Sequence, residues 1–122
     1  MLTRKENIIL SKTDAFSDRI IKLVQHLKVN RCEPVICNQI LRSGTSIGAN
    51  TVESQNAQSR ADFVNKLSIA LKEADETQYW LRKLFAAGYI DQSGFASLNA
   101  DNIEIIKLLT SIIKSTKGVS GL

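Results

Sequence analysis

Apolar residues recur along this chain at intervals of three and four, in four separate runs, and nowhere alternate with period two over the length of a strand. That 3.6-residue rhythm belongs to amphipathic helices. The first run carries Phe16, Ile20, Leu23, Val24 and Leu27 and fades at Asn30. Ahead of it, Ser11-Lys-Thr-Asp14 reads as a capping box, so a helix is expected over about 11–29. The second run opens at Pro34, whose missing N–H costs nothing in a first turn, and passes through Ile36, Ile40 and Ile47, giving a helix over about 34–58. Ser59-Arg-Ala-Asp62 is a second capping box, starting a third helix over about 60–87 that carries Phe63, Leu67, Leu71, Leu81 and Leu84 and closes at Gly88. The fourth, over about 93–117, holds Phe95, Leu98, Ile105, Leu109 and Ile112.

Short links between long helices make consecutive helices antiparallel neighbours. The pattern therefore predicts an all-α fold, an antiparallel up-and-down four-helix bundle spanning residues 1–122 as one domain, with a loose tail at 118–122. On the fourth helix, residues 95, 98, 105, 106, 108, 109, 112 and 113 spread over about 160° at 100° per residue, wider than the ~100° stripe of a surface helix. The excess face, with Tyr79 and Trp80 beside the stripe of the third helix, predicts burial against another copy of the chain.

Composition narrows the possibilities. A chain of 122 residues, 43% hydrophobic, is one domain's worth and long enough to bury a core without disulfides or metal. Residues 1–10 mix Arg4, Lys5 and Glu6 among apolar positions, so no signal peptide is read, and no run approaches the ~20 apolar residues of a membrane helix. A cytoplasmic protein with no membrane contact is expected. Cys32 and Cys37 match neither a CxxC nor a four-ligand zinc spacing and read as reduced, structural thiols.

Most motifs that suggest chemistry fail on context. Gly44-Thr-Ser46-Ile-Gly48 matches a nucleophile elbow, but that device needs a preceding strand and a later histidine, and the chain's one histidine, His26, comes first. The steric reading is better: Ser43, Gly44, Ser46, Gly48 and Ala49 give the second helix a small-sided face on which a neighbouring backbone can come close. Each interior glycine costs ~1 kcal/mol of helix propensity, which close packing offsets. Glu53, Glu73 and Glu76 resemble a di-iron carboxylate set, yet such sites need two Glu-x-x-His pairs, so no metal and no cofactor is expected. The same groups, with Arg42, Ser43, Asn50 and Thr77, are expected to form a polar network between the second and third helices.

The net charge of +4 is unevenly placed. Residues 1–31 hold Arg4, Lys5, Lys12, Arg19, Lys22, Lys28 and Arg31 against Glu6, Asp14 and Asp18, which accounts for all of the surplus. Lys12, Arg19 and Lys22 can share a helical face, and Lys28, Arg31, Arg60 and Lys66 are further candidates for contacts with nucleic-acid phosphates. Aromatic residues are not interleaved among them, so base stacking is not indicated.

The blocks Gln39-Ile-Leu-Arg-Ser-Gly-Thr-Ser-Ile-Gly-Ala-Asn50, Glu53, Ser59-Arg-Ala-Asp-Phe63 and Leu67 through Leu81 occur in order, and the chain that carries them resembles the four-helix-bundle family of 23S ribosomal RNA intervening-sequence proteins. The resemblance implies a ring-shaped homopentamer of antiparallel bundles. A related branch, the accessory variability determinant of diversity-generating retroelements, is a basic pentameric barrel that binds nucleic acid and associates with a reverse transcriptase. The family pattern falls on Arg42, Ser43, Ser46, Asn50, Glu53, Glu73, Glu76 and Thr77, while Thr51-Val52 stands where relatives often carry an aliphatic residue and Ala. Two functional readings follow: a non-enzymatic oligomer binding RNA or a nucleoprotein through a basic face, and a scaffold that recruits a partner enzyme without touching nucleic acid. Clustering of Arg19, Lys22, Lys28 and Arg60 on one exposed face favours the first; dispersal or pairing with acids favours the second.

Overall fold

Four helices emerge where the hydrophobic rhythm places them, with boundaries set by hydrogen bonds that the rhythm does not show. The computed structural model describes residues 2–118: α1 (Arg4–Val29), α2 (Pro34–Ser54), α3 (Arg60–Ala86) and α4 (Gln92–Lys117). Each packs only on its neighbours around the bundle, α1 on α2 and α4, and α3 on α2 and α4. The topology is up-and-down and antiparallel. The expectation for the tail 118–122 falls, beyond Gly118, outside the described residues.

α1 begins at Arg4, not near Ser11. Thr3 Oγ1 accepts from the Glu6 amide at 3.1 Å and Glu6 Oε2 accepts from the Thr3 amide at 2.9 Å, so the capping box is Thr3-x-x-Glu6, and Ser11 and Asp14 are exposed positions inside the helix. At its far end the amide of Cys32 bonds the Leu27 carbonyl at 2.9 Å, and Arg31 takes a left-handed φ of 57°. The end of α3 repeats that arrangement with Gly88 at φ 82°, where the residue type itself announces the turn.

α2 ends at Ser54 rather than 58. The amides of Gln55, Asn56 and Ala57 turn to carbonyls three residues back, so the expected last turn continues in a tighter winding. Ser59 Oγ accepts from the Asp62 amide as expected, but Asp62 Oδ2 reaches back to Gln58, one residue before the cap. α4 starts at Gln92, capped by Asp91, whose Oδ1 accepts from the Gly94 amide at 2.7 Å.

The core runs through Ile9, Phe16, Ile20 and Leu27 of α1, Ile40 and Ile47 of α2, Leu67, Leu81 and Leu84 of α3 and Ile105 and Leu109 of α4. Asn102 is the polar residue among them: it is fully buried, its Nδ2 donates to the Ala74 carbonyl at 2.9 Å, and its Oδ1 meets no partner. On the wide stripe of α4, Ile106 and Leu108, on opposite edges of that helix, are half-buried against the core. The large apolar side chains most exposed to solvent lie elsewhere, at Val29, Val35 and Val52.

Gly44 and Gly48 show why α2 is small-sided. A Cβ on Gly44 would stand 2.7 Å from Ile20 Cγ1, and one on Gly48 would stand 3.2 Å from the Thr13 carbonyl oxygen. α1 and α2 touch at these points: Gly44 has no room for a methyl group, and at Gly48 one fits only if α1 gives by a few tenths of an ångström. Cys32 and Cys37 are both buried and free. Burial, then contact with Cys37, pushes the Cys32 thiol up to about 11, which keeps it protonated and unreactive at neutral pH.

Candidate functional site: the α2/α3 groove and the surface cations

Helical spacing puts Gln39, Arg42, Ser46, Asn50 and Glu53 along one edge of α2 and Lys66, Glu73, Glu76 and Trp80 along the facing edge of α3. The structure joins them into three clusters rather than one network. In the first, Arg42 Nη1 donates to Glu73 Oε2 at 2.6 Å and Nη2 to Glu76 Oε2, while Trp80 Nε1 also donates to Glu76 Oε2 at 3.0 Å. Gln39 Oε1 accepts from the same guanidinium at 3.3 Å. Beneath this cluster, the Thr77 hydroxyl lies 2.8 Å from the Glu73 carbonyl and 3.0 Å from Ser43 Oγ, both hydroxyls fully buried. Glu73 is the buried carboxylate of the set, at 8% exposure, and its charge is matched by a guanidinium that also binds Glu76.

The second cluster is local to α2: Asn50 Nδ2 donates to Ser46 Oγ at 3.0 Å and to the Ser46 carbonyl at 2.9 Å. Ser46 is a half-buried mid-helix side chain, with no strand-to-helix turn to lift it, and His26 lies on α1 beside Asn30. The third is the ion pair of Lys66 Nζ with Glu53 Oε1 at 3.1 Å. Glu53 therefore stands apart from Glu73 and Glu76, because about two helical turns separate the levels of α3 that face it and Arg42. Among the described residues no group of three metal-ligating side chains forms. Gln39 and Trp80 complete the first cluster; the spacing i, i+4 from Glu76 to Trp80 was the available signal for the latter.

The candidate phosphate-binding cations do not form one face. Lys12 Nζ is 2.9 Å from Glu104 Oε1, and Arg19 Nη1 is 2.6 Å from Asp101 Oδ2 with Nη2 on Ser97 Oγ at 2.9 Å. These two tie α1 to α4. Lys22, Lys28, Arg31 and Arg60 are exposed, with no carboxylate at ion-pair distance among the described residues. Lys22 and Lys28, six residues apart, point about 120° apart around α1. Arg60 opens α3, and Lys66 lies nearly two turns further on, in a helix that does not pack on α1; Arg60 is at the opposite end of the bundle from Lys28 and Arg31. The expectation that Arg60 and Lys66 extend the basic face of α1 is corrected by this topology: α3 sits diagonally across the bundle. No helix among the described residues is long and apolar enough to cross a membrane.

The family model described as 23S rRNA-intervening sequence protein matches residues 5–111. Among solved structures, the chain is similar to a protein of unknown function from the S23 ribosomal protein family of Bacteroides thetaiotaomicron. The two share 54% sequence identity and a TM-score of 0.88, covering 90% of this chain and 98% of that one. No curated protein matches the chain.

Proposed function

Because the chain belongs to the 23S rRNA-intervening sequence protein family, we propose that it works in the cytoplasm as a non-enzymatic, oligomeric helical bundle that binds RNA or a nucleoprotein through surface cations. The observation that carries this reading is how the charges are used. Ion pairs within the chain engage Glu53, Glu73, Glu76, Asp101 and Glu104, and helix caps engage Glu6, Asp62 and Asp91. Cations such as Lys22, Lys28, Arg31 and Arg60 are left facing solvent. Asp14, Asp18, Glu33 and Asp75 are the exposed acids without such a partner, so free cations outnumber free acids and the surface is more attractive to a polyanion than the net charge of +4 alone conveys. A homopentamer, the assembly implied by the family likeness, would repeat that surface around a ring.

Filter binding of a structured RNA across a salt series tests the proposal. Affinity of micromolar or tighter that falls steeply with salt is the expected result; weaker binding, or binding with no salt slope, overturns it. Light scattering tests the oligomer, which a 13.5 kDa particle at micromolar concentration rules out.

A second reading, a scaffold that recruits a partner protein, is the one favoured by the dispersal of Lys22, Lys28 and Arg60 and by the pairing of Lys12, Arg19 and Lys66 with acids, and it draws also on the exposure of Val35 and Tyr79. Recovery of one protein partner after nuclease treatment, with no RNA retained, favours it over the first.

A further inference from the structure

α4 carries a basic face whose own lysines are not among the phosphate-binding candidates considered above. Lys107 and Lys114 are both exposed. Seven residues apart, they sit two turns along the helix, about 10.5 Å on the axis and within about 20° of one another around it. Ser111 lies between them on the same side. Its Oγ accepts from Lys5 Nζ at 2.6 Å, which brings an ammonium from the first turn of α1 to the border of this face.

The surroundings leave that charge uncompensated. From Ile105 to Lys117 the helix contains no acid. The nearest preceding carboxylate, Glu104, is bound to Lys12, and Glu6, beside Lys5, is bound to the Thr3 amide. Ser111 accepts from Lys5 and so keeps its own hydroxyl proton to donate. The face thus offers three ammonium groups and a hydroxyl donor on a shallow, rigid helix surface. It holds no aromatic side chain, which removes stacking on unpaired bases as a mode of binding.

We propose that Lys107, Ser111 and Lys114, with Lys5 beside them, form a phosphate-backbone contact surface for duplex RNA. The inference rests on the RNA-binding reading above and moves its principal contact from α1 to α4. The reason is alignment. On α1, Lys12 and Arg19 would have to leave their carboxylates, and Lys22 and Lys28 diverge by about 120°. On α4 the two lysines share a side, so one strand of a duplex meets both without rearrangement of the protein. Contact with backbone and not base edges makes the binding independent of sequence.

Two double reversals of equal charge separate the surfaces: Lys107→Glu with Lys114→Glu, and Lys22→Glu with Lys28→Glu. All four positions are exposed, and circular dichroism with thermal melting checks that both variants fold. The probe is an RNA hairpin with a stem of about 20 base pairs, bound on filters between about 50 and 200 mM salt. The α4 reversal is expected to weaken binding roughly tenfold and to reduce the slope of log affinity against log salt by about 2, one contact per lysine. The α1 reversal is expected to change affinity less than about threefold. Equal losses, or a larger loss from the α1 reversal, overturn the assignment to α4 and leave RNA binding standing. Absence of binding by the wild-type protein overturns the RNA reading itself. Competition by poly-glutamate as effective as that by RNA overturns the phosphate assignment.

Discussion

Along one flank α1 lies against Gly44 and Gly48 of α2, so close that a Cβ at Gly44 would stand 2.7 Å from Ile20. Along the other it reaches α4 through the Lys12–Glu104 and Arg19–Asp101 pairs, whose side chains are between 39% and 52% exposed. One helix thus makes one seam from excluded volume and one from charge in contact with water. The first is short-ranged and admits no added atom at Gly44; the second is tolerant, screened and worth little. A face of the bundle whose charges matter little to stability is free to use them elsewhere, and α4 is the helix whose outer side carries aligned lysines.

The largest effect belongs to the closest contact. Gly44→Ala gains about 1 kcal/mol of helix propensity, yet it drives a methyl group into the fully buried Ile20. A net loss of about 2–3 kcal/mol of unfolding free energy is expected in urea titration. Ile20→Ala should cost less in the Gly44→Ala background than in the parent, because it removes the Cγ1, Cγ2 and Cδ1 atoms that the new methyl group meets, a positive coupling that neither change shows alone. If Gly44→Ala is as stable as the parent, the seam is not held by volume and the contrast with α4 collapses. Gly48→Ala, whose nearest contacts would be 3.1 and 3.2 Å, should cost less.

Between these extremes lies the α2/α3 groove, where a half-exposed guanidinium serves a buried carboxylate. Arg42→Ala leaves Glu73, at 8% exposure, without its charge partner. A loss of about 1–2 kcal/mol is expected, smaller than for a fully buried pair because water reaches the arginine. Arg42→Lys should restore less than half, since one ammonium does not reproduce a fork that bonds Glu73, Glu76 and Gln39 together. Full restoration by lysine would place this groove with the charge-tolerant seam.

How much of this could be read from the sequence depended on how far apart the interacting residues are. The close approach at Gly44 and Gly48 was legible, because glycine inside a helical rhythm calls for a compensating contact. The clustering of Arg42 with Glu73 and Glu76 was legible in outline, because a hairpin of two antiparallel helices fixes which levels face one another; the separate place of Glu53 depended on the register, which the rhythm leaves open by a turn. The start of α1 was misplaced because two segments, Thr3 to Glu6 and Ser11 to Asp14, both have capping-box character, and the charges at Arg4, Lys5 and Glu6 hid the earlier one. The end of α2 was misplaced because no glycine or proline marks it. The partners of Lys12 and Arg19 lie more than eighty residues away, on a helix that returns to α1 only in the closed bundle. The charge surplus of residues 1–31 therefore appeared as a free basic face when part of it was already engaged.

The smallest effect tests the other seam. A double-mutant cycle on Lys12→Ala and Glu104→Ala isolates the pair, which the structure places at 2.9 Å with both side chains substantially exposed. The coupling energy is expected at about 0.2–1 kcal/mol near 0.1 M salt. Raising the salt to 1 M shortens the screening length from about 10 Å to about 3 Å and should remove most of it. The cost of Gly44→Ala should persist under the same change, because steric overlap is not screened. A coupling above about 2 kcal/mol that survives 1 M salt would mean that the α1/α4 pairs are structural in the sense that Gly44 is. Lys12 and Arg19 would then be permanently withdrawn from any ligand. If the coupling vanishes with salt, α1 and α4 are held together by their shared apolar core, and the charges above it can exchange a carboxylate for a phosphate at little cost to the fold.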